Sequence, residues 1–237
     1  MTKRYWWVII TYIIMQFSGI VFAPLLYLLT PLGENDAVIY WSIFSFLLGL
    51  IIVLIIMKPD MKTPSHRNAA STGSIVLWSI LGVFMAYFSQ GIAALIEIEL
   101  LGIEAGSENT QLIMNVTRAT PLFMIIPMFI APILEEIIFR KIIFGSFYKK
   151  MNFFFAALLS AVVFGIIHGE PQHILIYASM GFVFAFLYVK TKRIIVPIIV
   201  HMAMNSIVVL VQYNFTPEDI EKMQQQLQEM QMILIGG

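Results

Sequence analysis

The sequence contains no cysteine. That absence excludes disulfides, thiolate metal sites and a cysteine nucleophile. Charge is scarce as well. Only 12% of the 237 residues are Asp, Glu, Lys or Arg, about half the share of an average soluble domain. The formal net charge is zero, which argues against a nucleic-acid partner. The remainder is strongly apolar: 59% of residues are hydrophobic and the mean hydropathy is +0.87. Such a composition predicts an integral membrane protein, an all-α polytopic helical bundle.

A helix needs about 20 apolar residues to cross the hydrocarbon core. Seven segments qualify: about 5–29, 38–57, 74–95, 121–147, 152–168, 174–189 and 194–212. The first is too long for the apolar core of a secretory signal, and no A-x-A-like cleavage site follows it, so it is read as a helix that stays. The connections alternate in charge. Lys3 and Arg4, then Lys58, Lys62 and Arg67, then Lys149 and Lys150, then Lys190, Lys192 and Arg193 fall on one side. Glu34 and Asp36, the acidic run Glu97, Glu99, Glu104 and Glu108, and the turn Gly169-Glu170-Pro171 fall on the other. The positive-inside rule then predicts a multi-pass cell-membrane protein with its N-terminus inside and its C-terminus outside.

Outside the spans, Leu112, Ile113 and Val116 recur at helical spacing within 109–118, which predicts a helix in the outer interface. The stretch 58–73 reads as a linker. The tail, 213–237, opens on Thr216-Pro217-Glu218-Asp219, a cap with proline at the first helical position. Ile220, Met223, Leu227, Met230 and Leu234 then predict an amphipathic helix. There is no internal repeat and no second domain, so 1–237 is expected to be one integral-membrane domain.

Against this background three spans carry polar residues. In APILEEIIFR, residues 131–140, two adjacent carboxylates and an arginine sit in an apolar run. A charge deep in a bilayer costs at least ~2.5–3.5 kcal/mol. Glu135 and Glu136 point ~100° apart on a helix and cannot do the same job. Arg140 lies one turn beyond Glu136 on the same face, so the two are expected to pair, leaving Glu135 without a local partner. Pro132 removes a backbone donor and tends to bend the helix, which would open space beside the carboxylate. The plainer reading is a salt bridge between helices, yet a second, unpaired carboxylate is hard to justify by stability.

Phe164 and His168 are four apart at the end of the fifth segment, and a lone histidine there also suits an interfacial role. His173, five residues on, reads as an interface residue outside the site. His201 and Asn205 share a face of the seventh segment. They would serve either as interhelical hydrogen-bond donors or as parts of a site.

Together these groups suffice for water-mediated amide hydrolysis. A carboxylate in apolar surroundings is a competent base near neutral pH. A neutral imidazole can orient the water, and an amide and a second imidazole can donate to the oxyanion. No serine or cysteine stands next to a base, so direct attack by water is expected. One mismatch accompanies this reading. At ~1.5 Å per residue, Glu135 lies roughly 20 Å from the inner loop, His168 about 24 Å and His201 about 12 Å. Tilt or a broken fourth helix must bring them level.

Glu135-Glu136-x-x-x-Arg140, Phe164-x-x-x-His168 and His201-x-x-x-Asn205, in that order, resemble the signature of the CPBP intramembrane proteases. These include the CAAX prenyl endopeptidases and the bacteriocin-processing or immunity proteins of the Abi group. The resemblance covers about 121–212. It implies that Glu135 activates water with His168, that Glu136 and Arg140 support it, and that His201 and Asn205 stabilise the oxyanion. The family is described both as metalloproteases and as glutamate proteases. Glu135, His168 and His201 could ligate Zn²⁺ as a His₂Glu set, but no HExxH motif is present. Asn205 is a poor zinc ligand and a sensible oxyanion donor, which favours no metal. The expected partners are membrane lipid and a peptide or small membrane-protein substrate. The competing readings are a non-catalytic immunity or scaffold protein and a proton-coupled transporter, the latter lacking the inverted repeats it would favour.

Overall fold

The computed structural model describes residues 1–62 and 68–215, together with Asp219, Lys222, Gln225 and Gln226. Among these residues every regular element is helical. The order is α1 (Lys3–Phe17), α2 (Gly19–Leu29), α3 (Glu34–Lys62), α4 (Thr72–Leu95), α5 (Glu108–Ala119), α6 (Pro121–Tyr148), α7 (Phe153–Ile167), α8 (Ile174–Thr191) and α9 (Ile195–Asn214).

All seven apolar segments are helical, but they are not equivalent. Five are long and apolar enough to cross a membrane. The first is a pair, α1 and α2, bent by 45°. The bend falls at Ser18-Gly19, a common kink pair. Ser18 Oγ donates to the Met15 carbonyl and accepts from Trp41 Nε1, which fixes the bend against α3. The fifth segment, α7, has only 15 residues.

The stretch expected as a linker is shorter than the composition suggests. α3 continues through Pro59 to Lys62, and α4 begins at Thr72. The helix expected within 109–118 is present as α5. The amphipathic residues expected in the tail, Ile220 to Leu234, lie outside the described residues.

α8 is central, packed along both α4 and α7, while α9 packs on α4 and on the first half of α6. Small residues permit this closeness. A Cβ on Gly181 of α8 would stand 2.7 Å from Ala161 Cβ of α7. One on Gly82 of α4 would meet Leu187 and Val200 side chains at 2.8 and 2.7 Å. Outward positions such as Phe84 and Phe88, one turn apart, are exposed, as expected for a lipid-facing surface.

The basic and acidic connections gather at opposite ends. Arg4 pairs with Asp60 at 3.2 Å, and Arg193 Nε donates to the Ala70 carbonyl. At the other end Glu97 and Glu170 anchor the start of α8. Glu97, expected in a loop, lies on a π-helical extension of α4 (Ile96–Leu100) and is 1% exposed. Its Oε1 accepts from the Leu175 and Ile176 amides, and its Oε2 is 2.9 Å from His173 Nδ1. A carboxylate there satisfies orphan donors of α8 and complements the positive end of its dipole.

Candidate active site

α6 carries the acidic motif and is not a regular α-helix. It passes through a 3₁₀ turn (Pro121–Met124), a π-helical stretch (Ile126–Ile130), one α turn (Ala131–Glu135) and a longer π-helical stretch (Glu136–Phe144). Such π segments recur at functional sites. The local cause is visible in the backbone. The Ala131 amide bonds to the Ile126 carbonyl, so it does not serve Pro127. The next amide along belongs to Pro132, which has no N–H. The Pro127 carbonyl is therefore without a helical donor, and Asn205 Nδ2 of α9 supplies one at 3.0 Å.

Beyond that turn the expected pair forms. Arg140 Nε lies 3.2 Å from Glu136 Oε2, with the two side chains 1% and 0% exposed. The contact is an ion pair without hydrogen-bond geometry, and none of the three guanidinium nitrogens has a hydrogen-bond acceptor among the described residues. They are covered by aromatic faces instead, with the guanidinium carbon 4.5 Å from the Phe164 ring centroid and 4.9 Å from that of Phe184. These contacts offset part of the desolvation of the cation.

His201 of α9 enters the same cluster. Its Nδ1 is 3.0 Å from Glu136 Oε1, and its Nε2 is 3.7 Å from Glu135 Oε2. Glu136 thus divides its oxygens between Arg140 and His201. Glu135 reaches only the far edge of the imidazole and keeps 13% side-chain exposure. The expected level mismatch between Glu135 and His201 does not arise, since their side chains meet at 3.7 Å. Phe184 stacks on His201 at 5.0 Å, completing its surroundings.

His168 caps the C-terminus of α7. Its Nδ1 lies 2.7 Å from the Phe164 carbonyl. A carbonyl only accepts, so Nδ1 carries a proton, and in the neutral ring Nε2 is then the acceptor. The Phe164 ring neighbours both imidazoles, 4.4 Å from His168 and 6.1 Å from His201.

Glu135, Glu136, Arg140 and His201 are therefore in one cluster. Asn205 sits one turn on, holding α6, and His168 is reached through Phe164. His173 stands apart, on Glu97. The sequence reading missed Phe184, which its place in an apolar run conceals.

Among the described residues no three His, Asp or Glu side chains are placed to hold an ion. His201 Nδ1 and His168 Nδ1 face Glu136 and the Phe164 carbonyl, which leaves the two Nε2 atoms as the ones a metal would take.

Residues 117–207, which contain this cluster, match the model of the Type II CAAX prenyl endopeptidase Rce1-like family. The chain is 48% identical to a putative membrane peptidase, YdiL, of Bacillus subtilis, over its whole length and 99% of the relative. It is 30% identical to the membrane-embedded CAAX protease MroQ of Staphylococcus aureus, over 92% of each chain. A shorter similarity, 36% over 77 residues, links it to the UPF0177 protein YxdF of Lactococcus lactis, 42% of which is covered. No solved structure matches. With signature, helical architecture and full-length relatives in agreement, the chain belongs to the CAAX-protease family of membrane peptidases.

Proposed function

We propose that the chain is an intramembrane endopeptidase that hydrolyses a peptide bond of a membrane-associated peptide or small membrane protein. One observation carries the reading: a buried imidazole, His201, lies between two adjacent carboxylates that come from another span. A structural salt bridge accounts for Glu136 with Arg140, but not for the second carboxylate beside them.

Glu135 is the base. A water beside it gives a proton to the carboxylate as its oxygen bonds to the carbonyl carbon. His168 accepts from that water through Nε2, the nitrogen its bond to the Phe164 carbonyl leaves unprotonated. The carbonyl oxygen becomes an oxyanion. Asn205 gives one amide hydrogen to Pro127 and has a second for that oxyanion. His201, its Nδ1 against Glu136, donates from Nε2. When the C–N bond breaks, Glu135 passes its proton to the leaving amine. Glu136 and Arg140 hold the imidazole and need not touch the substrate. No step is routed through a metal.

The basic ends of the helices face the cytoplasm, which places the N-terminus inside and the C-terminus outside. Lipid is the other partner, covering the apolar exterior. The name of a relative does not by itself make the substrate prenylated.

The test is cleavage of candidate membrane peptides, with and without a prenylated C-terminal cysteine, by the purified chain. Each is assayed with and without chelator, beside Glu135→Gln. Cleavage that survives chelation and is lost in the variant is the expected result. Cleavage retained by Glu135→Gln would overturn the mechanism.

A further inference from the structure

A buried acid–phenol pair near the outer end of the bundle takes no part in the hydrolysis above. Glu170 is 4% exposed, Tyr177 is 9% exposed, and the phenol donates to Glu170 Oε2 at 2.5 Å. Glu170 also accepts from Ser107 Oγ at 2.9 Å and from the Asn109 amide at 3.1 Å. Its carboxylate is thereby fixed from three directions, and it fixes the phenol in turn.

The Tyr177 ring lies against His168. The two centroids are 4.3 Å apart with 29° between the planes, a stacked arrangement. His168 needs such a support. It is the capping residue of α7, followed by Gly169 at φ +76°, so no further helical turn covers its ring. Its hydrogen bond to the Phe164 carbonyl fixes a single nitrogen, and the Phe164 ring meets it at a tilt of 58°, so Tyr177 supplies the stacked face. Close approach of α7 and α8 brings Tyr177 within reach. A Cβ on Gly165 would stand 3.5 Å from Tyr177 Cβ and 3.1 Å from Ile174 Cγ1.

We propose that Tyr177 is a positioning residue for His168: its ring, aimed by Glu170, holds the imidazole with Nδ1 on the Phe164 carbonyl and Nε2 toward the reacting water. The direction of Nε2 rests on the hydrolytic reading of the site; the stack and the tautomer do not. The ring does the positioning and the hydroxyl only aims it. Phenylalanine should therefore largely replace Tyr177 and leucine should not.

The test uses the full chain, ¹⁵N-labelled in detergent micelles, with the imidazole nitrogens observed directly. The chain has four histidines, so His168 is assigned by substituting the others singly with glutamine. In the wild type and in Tyr177→Phe, His168 should show one tautomer, protonated on Nδ1. In Tyr177→Leu the two tautomers should average. If Tyr177→Leu does not fold, Tyr177→Met replaces it: with no ring to stack on the imidazole, the averaged signal should appear there as well. On a cleaved peptide, Tyr177→Leu should lower kcat at unchanged KM by roughly 10²-fold, the loss that a displacement of about 1 Å in a reacting group brings. Wild-type His168 signals in Tyr177→Leu, or in Tyr177→Met where that variant replaces it, would overturn the proposal. If Glu135→Gln still cleaves while these signals change as expected, the hydrolytic reading fails and the positioning of His168 stands.

Discussion

His201 and Glu136 hold each other inside the bundle: the imidazole Nδ1 stands 3.0 Å from a carboxylate oxygen whose twin is 3.2 Å from Arg140. Glu135, the neighbouring residue, has only the far edge of that imidazole at 3.7 Å. Adjacent carboxylates thus face opposite demands. Glu136 balances a buried cation, and Glu135 has its charge available for chemistry.

The two glutamines should consequently behave differently. Glu136→Gln leaves Arg140 as an uncompensated buried cation, a change that typically costs about 3–5 kcal/mol. Its thermal unfolding midpoint in detergent should fall sharply and its yield should drop. Glu135→Gln should keep the wild-type midpoint and lose roughly 10²–10⁴-fold in cleavage, the contribution of a general base. Equal midpoints for the two variants would contradict this division.

The Asn205 bond to Pro127 yields a second expectation. That carbonyl is orphaned because Pro132 has no N–H, and Asn205 satisfies it. Asn205→Ala should cost about 1–3 kcal/mol by leaving a buried acceptor unpaired. Pro132→Ala restores the backbone donor that is missing. In the double variant the Asn205→Ala penalty should shrink. Unfolding midpoints of the two singles and the double form the cycle, and strict additivity would show that the proline does not create the need for the amide.

Much of this was legible in the sequence because bilayer energetics are severe. Glu136 with Arg140 followed from four-residue spacing, and Glu135 stood out as the charge left over. Asn205 on the face of His201 followed the same way. What spacing could not give was anything requiring two helices at once. The Glu136–His201 contact joins residues 65 apart. Phe184, stacked on that ring, looks like any other apolar residue of its span. Glu97 looked like a loop residue because charge usually ends a span. Here a π-helical extension carries it inward to cap α8, and only the fold reveals the free amides it serves. The irregular α6 was anticipated at Pro132, but the longer π-helical stretch over Glu136–Phe144 has no proline to announce it.

Gly181 tests the close packing around the site. An added methyl group would meet Ala161 Cβ at 2.7 Å and stand 3.8 Å from Arg140 Nη2. Both neighbours are buried and neither is the end of a loose surface chain. Gly181→Ala should therefore cost about 1–3 kcal/mol by overpacking and lower the unfolding midpoint. Ala161→Gly in the same chain should recover most of the loss. If Gly181→Ala is neutral by itself, α7 and α8 are not held at this distance.

Glu170 lies just before the α8 span, and its environment sets the acid limb of stability. Burial works against its charge. Hydrogen bonds from Tyr177, the Asn109 amide and Ser107, together with nearby His173, outweigh burial and hold the carboxyl below its usual range. A carboxyl lowered on folding stabilises the native state above its unfolded pKa, and that contribution disappears as pH falls through the folded value. The unfolding midpoint of the wild type should therefore decline below about pH 4, the ordinary carboxylate range. Glu170→Gln cannot titrate, so its midpoint should start lower near neutral pH and fall less on acidification. Midpoints measured in detergent from about pH 7 down to about pH 3 should converge. Parallel curves for the two proteins would assign the acid sensitivity to other carboxylates, with Glu97 beside His173 as the next to substitute.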